Sequence, residues 1–181
     1  MTIPPNWLQA SKQIGKTPSS RASWLLQLSY ESPVFEQLGR IRQESLEWQL
    51  QAFLDEGKWS ANSGLWVDEE FTEWWYSKVW NIFSKLRQKE SACCATRLVQ
   101  NHTAGIEEST GTMRVHTEGP AQRPTKEDAI YRVYCTLDGI LRRCARCKQL
   151  FIRTRRQRYC KKQCSNRARL ERFRKKRTPD T

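Results

Sequence analysis

No run of about 18 apolar residues occurs in the 181-residue chain, so no segment has the length and apolarity of a membrane-spanning helix. The opening stretch, MTIPPNWLQASKQIGK, lacks a continuous apolar core. No secretory signal is therefore expected, and the expected location is cytoplasmic, without membrane partners. Histidine is scarce. His102 and His116 are the only two, and neither has a partner at ligand spacing, so both read as solvated loop side chains. Acidic residues are missing where basic ones are densest: between 141 and 177, Glu171 stands alone among 17 Lys and Arg. Residues 1–140 hold 15 basic and 17 acidic residues, a net of −2, whereas 141–181 carry 17 against 2, a net of +15. No acid–base or nucleophile–base pair stands out in 1–130, and the protein is not expected to be an enzyme.

The aromatic residues show the opposite bias. All eight tryptophans lie in the first 80 residues, and side chains that bury so much apolar area suit a helical core. The stretch DEEFTEWWYSKVWNIFSKLRQKE (68–90) predicts a helix. Phe71, Trp74, Trp75, Val79, Ile82 and Leu86 share one face, interrupted by Lys78. Acidic residues at its start and basic ones at its end suit the helix dipole. SPVFEQLGRIRQESLEWQLQAFLDEG (32–57) predicts a second, with Ser32 as cap, Pro33 in the first turn and Gly57 at the exit; Gly39 inside it costs about 1 kcal/mol. SRASWLLQLSY (20–30) predicts a shorter helix. A small-molecule effector bound to this domain is compatible with the aromatics but not required by them.

Residues 101–124, rich in Gly, Thr, Pro and Glu, read as a linker or loose hairpin. YRVYCTLDGILRRC (131–144) reads as a hairpin, because Tyr131, Val133, Cys135 and Leu137 alternate before an Asp138-Gly139 turn. A helix through 126–142 is the competing reading. The expected division is a helical domain at 1–100, a linker at 101–125, and a cysteine module with a basic helix at 126–181.

Four of the seven cysteines, Cys144, Cys147, Cys160 and Cys164, form the pattern C-x2-C-x12-C-x3-C. A two-residue gap lets a tight turn aim two sulfurs at one point, and a three-residue gap does so on the first turn of a helix. In a reduced compartment such pairs point to a metal more than to disulfides. Zinc is favoured; a four-cysteine iron–sulfur cluster is the alternative. Four sulfurs leave no coordination position for water, so the metal would be structural, replacing the core that about 35 residues cannot build. Phe151, Ile152, Tyr159 and Phe173 would add the little packing available. Cys93 and Cys94 are adjacent and read as small buried apolar residues, and Cys135 as a spare thiol.

The segment from Cys160, CKKQCSNRARLERFRKKR, has no Gly or Pro and predicts a helix. Arg167, Arg169, Arg172, Arg174, Lys175, Lys176 and Arg177 lie along it, with Lys161 and Lys162 at its start. Arg153, Arg155, Arg156 and Arg158 form a basic loop before it. This density exceeds what solubility needs and predicts nucleic-acid contact. Arginine's planar fork suits phosphate and guanine edges.

The cysteine pairs, Phe151, the RTRRQR stretch, Tyr159-Cys160 and Cys164-Ser165-Asn166-Arg167 resemble the CGNR zinc finger of bacterial regulators, with Ser165 where the name-giving glycine stands. The resemblance covers about 35 residues, 143–177. It implies a zinc-binding, DNA-binding transcriptional regulator whose N-terminal partner domain is helical. The expected fold is thus mainly α: a Trp-rich helical domain plus a small four-cysteine module of treble-clef or zinc-ribbon type, ending in a basic helix. The expected partner is duplex DNA. RNA or the ribosome, or an acidic protein bound by an adaptor, are the alternatives.

Overall fold

The computed structural model describes residues 3–55, 67–88, 92–95, 101–106, 112–117, 126–154 and 156–177. Trp59, Trp66, Gly57 and Arg155 lie outside the described residues. Among these residues the fold is mainly helical, with a cluster of four cysteines near the C-terminus.

Helix α1 (Pro5–Ile14) starts on a proline, whose missing N–H costs nothing at the first helical position. Trp7, Ala10, Ser11 and Ile14 form its buried face. Helix α2 (Pro18–Leu28) begins the same way, and Thr17 caps it. The Ser20 backbone N–H donates to Thr17 Oγ1, and Ser20 Oγ accepts from the Thr17 backbone N–H, both at 3.1 Å. Two orphan amides of the first turn are satisfied at once.

The helix predicted from Ser32 is broken. Phe35–Leu38 form a short 3-10 turn, and helix α3 (Arg40–Leu54) starts only after Gly39. Gly39 has φ 75° and ψ 148°, a backbone that side-chain-bearing residues rarely adopt. Ser32 therefore serves the turn, where its Oγ accepts from the Val34 N–H and donates to Gln37. Helix α4 (Glu69–Arg87) follows prediction. Asp68 caps it through Oδ1 on the Phe71 N–H at 2.7 Å. Phe71, Trp75, Val79, Ile82 and Leu86 are buried, and the stripe widens to Thr72, Tyr76 and Phe83, leaving Lys78 outside it and Trp74 half-buried.

Strands β1 (Ala92–Ala95), β2 (Asn101–Ile106) and β3 (Met113–Thr117) form an antiparallel sheet in that order. Cys93 and Cys94 fall on β1, opposite Thr103 and His102. His116 falls on β3, opposite Thr103. The side chains of these cysteines and histidines lie outside the described residues.

The hairpin predicted over 131–144 is instead helix α5 (Lys126–Leu137), followed by a turn. Ala129, Ile130, Val133, Tyr134 and Leu137 are all buried, at helical spacing. The alternating pattern lost because Tyr134, which it places with the polar residues, is needed inside. Asp138-Gly139 ends the helix: the Asp138 N–H bonds Tyr134 O at 2.9 Å and Gly139 takes φ 67°. Strands β4 (Leu141–Arg143) and β5 (Leu150–Ile152) pair antiparallel, and helix α6 (Lys162–Arg177) completes the chain.

Helix α1 packs on α3, α3 and α5 pack on α4, and α2 packs on α5 and β5. At the centre, Trp24, Phe53 and Trp75 meet with ring centroids 5.4 to 6.0 Å apart. The Trp75 indole N–H reaches Ala129 O at 3.4 Å, tying α4 to α5. The core is continuous from Trp7 to Leu150. Helix α5, Leu141 and Leu150, which the sequence groups with the cysteines, lie inside it.

Candidate metal centre

Strand β4 runs straight into Cys144. The chain then reverses. The Cys144 N–H bonds Gln149 O at 2.8 Å, and the Lys148 N–H bonds Cys144 O at 3.0 Å. Lys148 takes φ 62°, the left-handed backbone that closes the turn, and its ammonium returns to Ala145 O at 3.0 Å. The turn carries Cys144 and Cys147. Two contacts fasten its base: Arg143 donates to Leu86 O at the C-terminal end of α4, and the Arg153 N–H bonds Ile140 O at 2.8 Å. From the far side of the basic loop, Arg158 O accepts from the Ala145 N–H at 3.3 Å. That contact delivers Cys160, just before α6, and Cys164, on its first turn.

The four sulfurs lie within 4.8 Å of one another. Cys147 and Cys160 are 3.4 Å apart, and Cys160 and Cys164 are 3.8 Å apart. A disulfide bond is about 2.05 Å long, and all four thiols are free. Sulfurs about 2.3 Å from a common centre would sit about 3.8 Å from each other. The distances thus fit a metal and not a staple. These residues can bind a metal ion, and their four-sulfur donor set suits zinc. Two ligands thus lie on the turn between β4 and β5, one just before α6 and one on its first turn.

Cys144 is buried, Cys147 is exposed, and Cys160 and Cys164 are intermediate. Burial opposes a charge on Cys144, but backbone N–H groups of Cys160, Cys147 and Arg146 point at its sulfur and bring its pKa down to about 6. The Cys160 N–H lies 3.5 Å from it. Cys160 is pushed up to about 12 by burial and by sharing its proton with Cys147, Cys144 and Cys164. Burial likewise raises Cys164. Four sulfurs this close resist ionising together, and a divalent cation among them removes that resistance. As thiolates, Cys160 and Cys164 would also set negative charge at the positive end of α6.

Every described side chain of α6 is exposed or half-buried. Arg167, Arg169, Arg172, Arg174 and Lys175 are exposed on it, as are Lys161 and Lys162 at its start and Arg156 and Arg158 on the loop. Arg153 is half-buried, and the side chains of Lys176 and Arg177 lie outside the described residues. Glu171 pairs with Arg146 of the cysteine turn, whose hydrogen bond lowers the carboxyl pKa. Sequence reasoning missed this pair, because its partners are 25 positions apart and on different elements. Phe151 is buried, and Ile152 and Tyr159 are half-buried. Phe173, expected to pack with them, is 53 % exposed, as Leu170 is at 56 %. Helix α6 thus has little apolar anchorage, and the cysteines and the Arg146–Glu171 pair fix its base. No helix among the described residues is long and apolar enough to cross a membrane. No family model, curated protein or solved structure matches the chain.

Proposed function

We propose that this chain is a zinc-stabilised nucleic-acid-binding protein, and that it acts as a DNA-binding transcriptional regulator. One observation carries the reading. Helix α6 stands clear of the core with cations around it, and its one acidic side chain, Glu171, is neutralised by Arg146. A 16-residue helix is about 24 Å long and enters a B-DNA major groove, which is about 12 Å wide. Arginines along α6 reach base edges and phosphates, while Arg153, Arg156 and Arg158 hold the flanking backbone. The metal's role is structural, with four sulfurs completing its coordination.

The resemblance to the CGNR zinc finger supports the same reading. Ser165, which replaces the family's glycine, sits in the first turn of α6 with its N–H on Lys161 O at 3.2 Å. That is right-handed helix, which serine adopts without strain.

The test is a titration of the full chain, purified with zinc, against duplex DNA at several salt concentrations. The full chain is required because α5 belongs to the helical core. Each phosphate contact adds about −0.9 to the slope of log K against log salt. Six contacts would give a slope of about −5. No binding at low salt, or a flat response, refutes phosphate contact. Tighter competition by structured RNA moves the reading from DNA to RNA.

A further inference from the structure

Around most of its circumference α6 is cationic, but one stripe of it carries no charge. Gln163, Asn166, Leu170 and Phe173 recur at spacings of three, four and three, so they share one face of the helix. All four are exposed, Leu170 at 56 % and Phe173 at 53 %. Cys164, Ala168 and Glu171 occupy the opposite face. There Cys164 joins the sulfur cluster, Ala168 is half-buried, and Glu171 pairs with Arg146. The uncharged stripe therefore points away from the cysteine turn. Arg169 and Arg172 border it on one side and Arg167 on the other.

Two large apolar side chains are too few for a protein docking site, which takes about 800 Å² from each partner. The pattern suits the major groove of B-DNA. A helix laid there presents its central stripe to base edges and its margins to the phosphates on either side. From Gln163 to Phe173 the helix rises about 15 Å, the length of roughly four base pairs. Asparagine and glutamine each offer a donor and an acceptor, which match N6 and N7 of adenine. Apolar side chains pack on the methyl group of thymine. Guanine is read best by arginine or lysine, and the stripe has neither. In duplex RNA the major groove is too deep and narrow for side chains to read.

We propose that α6 reads A·T base pairs in the major groove, with Gln163 and Asn166 on adenine and Leu170 and Phe173 on thymine methyl groups, while Arg167, Arg169 and Arg172 hold phosphates. This specificity rests on α6 being the DNA-binding element, as proposed for the chain's function.

The full chain, purified with zinc, is titrated by fluorescence anisotropy against two duplexes of equal length, one with an A·T-rich centre and one with a G·C-rich centre, at one low salt concentration. The A·T-rich duplex should bind about tenfold tighter. Deoxyuridine in place of thymidine removes only the methyl groups and should weaken binding severalfold. Adenine with carbon in place of N7 should do the same. The double variant Leu170→Ala/Phe173→Ala should bind the thymidine and deoxyuridine duplexes alike, and Asn166→Ala should respond less to the loss of N7. All three positions are exposed and outside the sulfur cluster, so zinc content and ellipticity at 222 nm should match the parent's. Arg172→Gln should weaken both duplexes equally. Salt-dependent binding that is equal on the two duplexes leaves phosphate contact standing and overturns the base reading. A preference for A·T that ignores both the methyl groups and N7 would come from the minor groove, and would overturn it too. No binding to either duplex overturns DNA binding and base reading together. Competition by polyglutamate or structured RNA as strong as by the A·T-rich duplex would assign the stripe to another partner and overturn it.

Discussion

Replacing Cys160 by serine isolates what holds α6. Cys160 contacts two of the other three sulfurs directly and sends its N–H to the third. Its loss leaves three ligands and no sulfur at the entry to the helix. A structural zinc site contributes about 10–16 kcal/mol of apparent binding free energy. Helix α6 has little to replace that. Its surface is mostly cationic, with Leu170 and Phe173 the large apolar exceptions, and isolated helices near this length are marginal in water. The six helices hold 10, 11, 15, 19, 12 and 16 residues, 83 in all. Melting α6 alone would therefore remove about a fifth of the helical signal. Leu141 and Leu150 would stay seated in the helical core, and all eight tryptophans precede residue 81. Cys160→Ser should thus lose zinc by elemental analysis and lose about a fifth of its ellipticity at 222 nm. Its tryptophan emission should match the parent's. Full ellipticity without zinc would show that α6 needs no metal. A red-shifted tryptophan emission would show that the helical core needs it too.

Five further outcomes are expected. Trp75→Ala removes the fully buried ring between Trp24 and Phe53 and should cost about 3–5 kcal/mol in urea unfolding followed at 222 nm. Gly39→Ala should cost about 1–3 kcal/mol from backbone strain alone, since nothing lies within 4 Å of the added carbon. Gly15→Ala should cost more in the same assay, because its Cβ would lie 2.4 Å from Ser20 Oγ and break the cap of α2. Arg172→Gln should weaken DNA binding across sequences and lower the salt slope by about one if Arg172 contacts phosphate. Tyr76 is raised to about 12, first by burial and then by Glu31, with Arg42 opposing. The folded state therefore keeps this proton more tightly than the unfolded chain does. The stabilisation is complete below pH 10, falls as pH rises towards 12, and should vanish from the pH profile of Tyr76→Phe.

What the sequence made legible follows from how local each signal is. Helix α4 could be read because Asp68, its apolar stripe and its end charges all agree within 20 positions. The cysteine cluster could be read because two short gaps each bring two sulfurs together. Helix α1 carries a comparable local signal in Pro5, Trp7, Ala10 and Ile14. Helix α5 reads as a hairpin or a helix because Asp138-Gly139 serves equally as a hairpin turn and as a helix exit. Only the packing of Tyr134 against the core decides between them. Gly39 reads in sequence as a weak helix residue, but its backbone rules a helix out. The Arg146–Glu171 pair joins positions far apart in the chain, so spacing holds no trace of it.

Leu141 and Leu150 root the metal-binding turn among the tryptophan helices. The turn therefore cannot be lifted out as a cassette and grafted elsewhere. A hybrid that keeps only residues after 138 would expose two leucines and strand Arg143 without the carbonyl it caps. A working transplant must carry α2, α4 and α5 as its seat.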